Sequence, residues 1–398
     1  MDVLFVSQYF YPETFKGNDL VFELIKKGHN VTVLTAKPNY PQGKFYKGYS
    51  FLGNRTENIN GATIIRCPIY PRKNASGLNL MLNYFSFVFF SYFACIFRIK
   101  GKFDIVIVQQ LSPVTVGLPG VWLKKRKNAK MYLWVLDLWP ESFIALSKIK
   151  NKLIIKFIEF IVKYIYNNTD AFLVSSKSFI NSIRNNCKIE KPIHYFPNWA
   201  EEIEDVEINE LKLPKIPNGF NILFAGNIGD SQGLSDVLIA AKNAKDINWI
   251  FVGDGRFLPK LKEQIKKENL YNVFAFGRYP IQTMRYFYRS ADVMLVSLAK
   301  DPVFSQTVPA KIQSYMSQGK IILGILDGEG NELINNLGIG LAVEAGDWAS
   351  LVNKAYFLKS LSDLERKNME EKSKLEYLQN FSKNQVIEKL EKIILNKI

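Results

Sequence analysis

Thr307-Val308-Pro309-Ala310-Lys311-Ile312-Gln313-Ser314-Tyr315-Met316-Ser317-Gln318-Gly319-Lys320, followed by Ile321-Ile322-Leu323 and Asp327-Gly328-Glu329-Gly330-Asn331-Glu332-Leu333, reads as helix, strand, glycine-rich turn and helix. Pro309 pre-sets the backbone for a first helical turn, Thr307 is a candidate cap, and Gly319 supplies the left-handed residue that ends the helix. A short helix is therefore expected to start just before Lys311. Its unpaired N–H groups and positive dipole end, with an ammonium one turn inside, suit a phosphate or diphosphate. Gly328 and Gly330 allow close anion approach at the next helix, while Glu329, Asn331 and Glu332 offer acceptors for sugar hydroxyls. An ordinary α/β turn pair with a surface lysine fits these residues equally well.

Upstream, the same grammar repeats. Asn221-Ile222-Leu223-Phe224-Ala225 is a strand that turns through Gly226-Asn227-Ile228-Gly229-Asp230-Ser231-Gln232-Gly233 into a helix, a second candidate phosphate seat. Trp249-Ile250-Phe251-Val252-Gly253-Asp254-Gly255 and Val273 to Phe276 with Gly277-Arg278-Tyr279-Pro280 continue it. A doubly wound sheet follows for this half. The first half opens on a strand at 2–6, a loop through Gly17, a helix at 20–27 and a strand at 31–35, another βαβ start. Gly17 falls at a strand's carboxyl end, where such sheets bind ligands. A later strand, 131–136, delivers Asp137-Leu138-Trp139-Pro140-Glu141-Ser142 to the same edge. Two carboxylates and a tryptophan there suit an acceptor or acid/base site, and Asp137 equally suits a helix cap.

Length and composition set the frame. By usual domain size, 398 residues suggest roughly two or three domains. With 47% apolar and 22% charged residues the chain is globular. Three cysteines lack metal or disulfide spacing, so neither structural zinc nor an oxidising compartment is expected. The N-terminus enters a buried-strand pattern without a basic leader, so a secretory signal is not expected. Of the net charge of +15, residues 1–200 carry 27 Lys and Arg against 11 Asp and Glu, whereas residues 201–398 carry 25 against 26. The basic half would be drawn to an anionic surface. Within it, 78–99 is apolar and aromatic enough to raise a membrane span, but Asn79, Asn83, Ser86 and Ser91 interrupt it, and a half-buried helix touching a membrane interface is the favoured reading. The stretch 148–166 reads as a basic amphipathic helix for an anionic bilayer, or as a core helix with a lysine edge.

Taken together, the motifs resemble those of glycosyltransferase family 4, retaining GT-B enzymes that use sugar nucleotides, and in particular the bacterial O-antigen and capsule subgroup that includes N-acetyl-L-fucosamine transferases. The residues carrying this are Pro38-Asn39-Tyr40-Pro41-Gln42-Gly43, the Asp137 to Ser142 motif, Pro197-Asn198-Trp199, the Gly226 and Gly253 turns, Pro309 to Lys311, Tyr315-Met316 and Asp327 to Gly330. The fold implied is α/β GT-B, two doubly wound Rossmann-like domains facing a central cleft. The expected division is 1–200, a linker at 201–218, 219–380, and a helix at 381–398 that packs back on the first domain. Departures are visible. Asn227 and Gln232 stand where many relatives place Arg and Lys, Gln306 and Ser314 stand at the paired glutamate positions, and the histidine often found near Asp137 is missing.

That resemblance implies retaining transfer of a sugar, such as an N-acetylated 6-deoxyhexosamine, from a UDP-sugar to a polyprenyl-diphosphate-linked saccharide in O-antigen or capsule synthesis. It implies Lys311 and the 328–332 turn as leaving-group stabilisers. Arg278 and Tyr279 would line the base pocket; Gly17, Gly226, Asn227, Gln232, Ser314, Glu329, Gly330, Asn331 and Glu332 complete the donor side. Asp137 would orient or deprotonate the acceptor hydroxyl, with Trp139 and Glu141 beside it. Neither a cofactor nor a metal is expected, nor a nucleic-acid partner, and the enzyme is expected in the cytoplasm, peripheral on the inner membrane face. Two rivals remain at this point: a UDP-sugar 2-epimerase of the same fold, and a basic binding module without activity.

Overall fold

The computed structural model describes residues 1–53, 55–74, 76–147, 151–187, 190–203 and 213–395. Most of the expected linker and the lysines at 148 and 150 lie outside them. The chain forms two compact units, Met1–Phe196 with Ile387–Ile398, and Pro197–Val386.

In the first unit the elements run β1 (Asp2–Val6), α1 (Lys16–Lys26), β2 (Asn30–Ala36), β3 (Thr56–Ile59), β4 (Ala62–Cys67), α2 (Gly77–Phe97), β5 (Ile105–Gln110), α3 (Gly117–Lys127), β6 (Lys130–Val135), α4 (Glu141–Ser147), α5 (Lys152–Asn168), β7 (Ala171–Val174), α6 (Ser178–Cys187) and β8 (Ile193–Tyr195). Among the described residues the sheet has eight strands in the order β3-β4-β2-β1-β5-β6-β7-β8. All pairings are parallel except β3 with β4. Its central strands are near-continuous apolar runs because helices cover both faces. One face packs Leu4, Val6, Val106, Val108, Leu133 and Val135 against α2, α3 and α5.

Two helix starts differ from the sequence expectation. The first helix begins at Lys16, a turn earlier than position 20, so Gly17 lies in its first turn and not in the loop. Asn18 explains this: its side chain accepts from Tyr11 N–H at 3.0 Å and donates to the Glu13 carbonyl at 2.6 Å, closing the preceding loop. The helix expected over 148–166 begins at Lys152, because the Asn151 side chain caps the N–H groups of Leu153 and Ile154.

In the second unit the order is β9 (Phe220–Ala225), α7 (Leu234–Asn243), β10 (Ile247–Val252), α8 (Leu258–Lys267), β11 (Val273–Gly277), α9 (Met284–Ser290), β12 (Val293–Ser297), α10 (Ala310–Ser317), β13 (Ile321–Ile325), α11 (Glu329–Leu337), β14 (Gly340–Val343), α12 (Trp348–Ser360) and α13 (Asp363–Glu376). The described strands form a wholly parallel sheet in the order β11-β10-β9-β12-β13-β14. The helix expected before Lys311 is α10, and Gly319 has φ +65° beyond its end. Thr307 does not cap it: its hydroxyl donates back to the Phe304 carbonyl at 2.8 Å, and Pro309 occupies the cap position.

The last helix, α14 (Lys383–Ile394), leaves the second unit and enters the first. Leu390 and Ile394 are buried, and Glu391 pairs with Lys27 and His29, each at 3.2 Å.

Candidate active site

At the carboxyl end of the second sheet, the β9 turn and the start of α10 converge on Lys311. The Lys311 ammonium lies 3.7 Å from the centre of the Phe224 ring and donates to Gln232 Oε1. Gly226 is required beside it, since a Cβ there would meet Lys311 Cε at 3.0 Å and the backbone has φ +129°. Burial pushes the amine down to about 7, and no carboxylate among the described residues offsets it. A cation held this way is a strong point of attraction for an incoming anion. Gln232 therefore positions the charge, where the relatives' basic residue would add to it.

The neighbouring α11 turn is fixed by close packing. A Cβ on Gly328, at φ +67°, would fall 2.0 Å from the Ser305 carbonyl oxygen, and one on Gly330 would meet Leu326 at 2.6 Å and Pro309 at 3.2 Å. Asn331 also has a structural part. Its amide donates to the Leu326 carbonyl at 2.9 Å and its oxygen accepts from Asn335 at 2.8 Å, which steadies the helix start while the half-buried side chain still lines the cavity beside it. Glu332 lines a cavity of about 360 Å³ with Lys300, Asp327, Gly328, Asn331 and Glu344. Lys300 and Glu344 were not legible as site residues, because each follows a strand with no motif around it. Glu329 opens α11, and Ser314 donates back to the Ala310 carbonyl at 3.2 Å. Asn227 and Arg278 are exposed on the β9 and β11 turns, and the Tyr279 ring packs edge-on to Phe287 at 5.0 Å.

The first unit gathers its polar residues at the corresponding sheet edge. Asp137 accepts from the Ser112 hydroxyl at 3.0 Å, and Trp139 Nε1 donates to the same oxygen at 3.2 Å. Burial raises the Asp137 carboxyl above its ordinary range. Trp139 stacks on Phe143, and Glu141 opens α4. Gly17 packs directly on this layer, because a Cβ would meet Gln109 Oε1 at 2.4 Å. Sequence reading missed Glu13. Fully buried, it accepts from the N–H groups of Asn39 and Tyr40, both at 2.7 Å, and of Phe10 at 3.3 Å. It thus ties the β1 loop to the Pro38-Asn39-Tyr40-Pro41 segment, while burial pushes its carboxyl up to about 7. Tyr9, Phe15 and Tyr40 form an aromatic cluster over these loops, with the Arg72 guanidinium 5.0 Å from the Tyr40 ring. Among the described residues no cluster of His, Cys, Asp and Glu is arranged to hold a metal ion.

Comparison with known proteins gives a family for each half. Residues 18–202 match the model of Glycosyltransferase Family 4, and residues 205–376 match that of Glycosyl transferases group 1. The chain is 28% identical over 316 residues to WcaI of Escherichia coli (strain K12), named for glycosyl transfer in colanic acid biosynthesis, covering 76% of each chain. In fold it is similar to sucrose-phosphate synthase from Thermosynechococcus elongatus, with a TM-score of 0.74 at 14% identity over 99% of this chain and 98% of that one. Anabaena HepE, solved in complex with UDP, gives a TM-score of 0.67 at 12% identity over the full length of both chains. With both halves matched and two Rossmann-like sheets in place, the chain belongs to the GT-B glycosyltransferases of family 4.

Proposed function

We propose that the protein transfers a sugar, with retention, from a UDP-sugar to a lipid-linked saccharide acceptor in bacterial surface-polysaccharide synthesis. The observation that carries this reading is Lys311, a buried amine with no balancing carboxylate among the described residues, set between the β9 turn and the start of α10. Departure of UDP builds positive charge on the sugar ring and negative charge on the diphosphate, so placed cations and N–H dipoles dominate catalysis. Lys311 and the N–H groups opening α10 and α11 meet the diphosphate. The Lys300–Glu344 cavity has room for a monosaccharide and offers carboxylate acceptors to its hydroxyls. Arg278 and Tyr279 flank the nucleobase. Asp137, steadied by Ser112, orients the acceptor hydroxyl as its proton passes toward the leaving phosphate.

The relationship to a colanic acid biosynthesis protein supports a cell-surface polysaccharide as product. An N-acetylated 6-deoxyhexosamine such as L-FucNAc is the proposed donor sugar, from the sequence resemblance. The enzyme would then work at the inner face of the cytoplasmic membrane, with no cofactor beyond the donor. The test is incubation with a panel of UDP-sugars, with and without a short-chain polyprenyl-diphosphate N-acetylhexosamine, followed by mass spectrometry. Acceptor-dependent gain of one sugar that Lys311→Ala abolishes is the expected result. Donor conversion without acceptor would replace transfer with epimerisation.

A further inference from the structure

Helix α2 is built inside out. Of its 21 residues none is charged, and its buried face mixes Asn83 and Ser91 with Phe87, Ala94 and Cys95. Asn83 is 0% exposed, accepts from Gln8 at 2.8 Å and donates to the Tyr70 carbonyl at 2.6 Å. Ser86 accepts from Tyr70 N–H at 2.8 Å, and Ser91 is likewise 0% exposed. The outward stripe is Leu78, Met81, Phe85, Phe89, Phe93 and Phe97, with Phe85 at 67% and Phe97 at 68% exposure. A water-facing helix has the opposite polarity. Contiguous exposed aromatics of this extent mark an interaction surface.

A second helix on the same face of the sheet repeats the arrangement. On α5, Leu153, Ile154, Phe157 and Phe160 are exposed, Phe157 at 64% and Phe160 at 67%. At 100° per residue, Lys152, Lys156 and Lys163 form the adjoining strip of the helix surface, where their ammonium groups can reach past the apolar one. Between the two helices lies α3, joined to α2 by the Tyr92–Trp122 ring contact at 5.2 Å and to α5 by Lys125 over the Tyr164 ring at 5.4 Å. Its last turn exposes Lys125 and Arg126. Lys100 and Lys102, also exposed, follow α2.

We infer that the outer surface of the α2–α3–α5 layer docks onto an anionic lipid bilayer, its aromatics entering the headgroup and acyl boundary and its lysines and arginines pairing with lipid phosphates. This deepens the lipid-linked acceptor reading and rests on it for its purpose, though not for its geometry. The basic flanks select a bilayer over an apolar protein partner, because each cation near an anionic surface adds attraction that an apolar groove does not repay. By length and composition α2 could cross a membrane. Its polar face, however, is hydrogen-bonded to the loops that follow β1 and β4, and spanning would carry those loops into lipid. Docking is therefore shallow and parallel to the surface.

Co-sedimentation of the full-length protein with phosphatidylcholine vesicles, with and without phosphatidylglycerol, tests this. Binding is expected to anionic vesicles, to weaken as salt rises, and to fall at least about tenfold in Phe85→Ser/Phe89→Ser and in Phe157→Ser/Phe160→Ser. Near-ultraviolet circular dichroism and transfer to a short water-soluble acceptor should match wild type, since these side chains point outward. Equal binding by wild type and variants, or none by either, would overturn the docking while leaving transfer intact. Concentration-dependent dimers abolished by the same variants would assign the surface to a second copy. Resistance of cell-membrane-bound protein to alkaline carbonate extraction would replace docking with a span. Vesicle binding without transfer to any acceptor would sink the proposed function and leave the docking.

Discussion

The Tyr315 hydroxyl donates to the Ala225 carbonyl and accepts from the Ala225 N–H, both at 3.1 Å. One buried phenol thus fixes α10 to the last residue of β9, and with it Lys311 to the turn at Gly226. Tyr315→Phe leaves two buried backbone groups short of a partner, a cost of about 1–3 kcal/mol. The expected outcome is a lower urea midpoint together with a raised KM for donor, measured on the same preparation. A stability loss with KM unchanged would mean that the bond holds the fold without setting the site.

Lys311→Met should reduce kcat about 100- to 1,000-fold, the loss seen when one charge-stabilising group is removed from a transition state. The pH dependence follows from the amine's position. With burial holding it at about 7, against 10.5 ordinarily, the charged form is ready for the diphosphate below pH 7. UDP affinity should therefore weaken as pH rises through 7, and binding above it should take up a proton, readable by calorimetry in buffers of different ionisation enthalpy. Between about 7 and 10.5 the unfolded chain binds a proton here that the folded one lacks, so this residue makes stability rise with pH. The Met variant should accordingly melt higher than wild type near neutrality.

For Asp137, replacement by Asn keeps the bond from Ser112 and removes the charge. A kcat loss of about 100-fold is expected. Because burial raises this carboxyl, the acidic limb of the wild-type kcat/KM profile should lie above the ordinary carboxylate range and vanish in Asp137→Asn. Rates within about twofold of wild type, with that limb intact, would reduce Asp137 to a structural residue.

Glu13 offers a stability measurement. Its carboxyl rises from 4.5 to about 7 on folding, so between those values the folded chain holds a proton that the unfolded chain releases. The stabilisation present in acid is lost as pH rises through about 7. Urea midpoints of wild type and Glu13→Gln at about pH 5 and about pH 8 should show wild type losing ground at the higher pH. Parallel changes in the two proteins would contradict this.

Gly328→Ala places a Cβ against the Ser305 carbonyl at a backbone angle hostile to side chains. A loss above about 1 kcal/mol is expected, with weaker UDP binding because the α11 turn must shift. Wild-type UDP affinity in this variant would remove the turn from the donor site.

Where local chemistry decides the backbone, the sequence was readable: Pro309 and Gly319 bracket α10, and the apolar runs mark each parallel strand. It failed where a particular side-chain bond decides. Asn151 starts α5 and Asn18 advances α1, both through bonds that propensity does not record. Asn331 lines the cavity as the sequence suggested, but its bonds to Asn335 and the Leu326 carbonyl, which also hold the helix start, were not readable. Lys300 and Glu344 in the second unit, and Glu13 in the first, sit on loops that only the folded sheet of each unit sets in place. In α2 the polar positions were noticed as interruptions. Their role as the inward face depends on Gln8 and Tyr70, far away in sequence.

Helix α14 makes the first unit discontinuous in sequence. Leu390, Ile394 and the Glu391 pairings belong to the first unit although the whole second unit separates them in sequence from Phe196. The second unit is continuous from Pro197 to Val386. Closing the first unit therefore joins segments far apart in the chain and carries a loop-closure entropy that the continuous second unit does not.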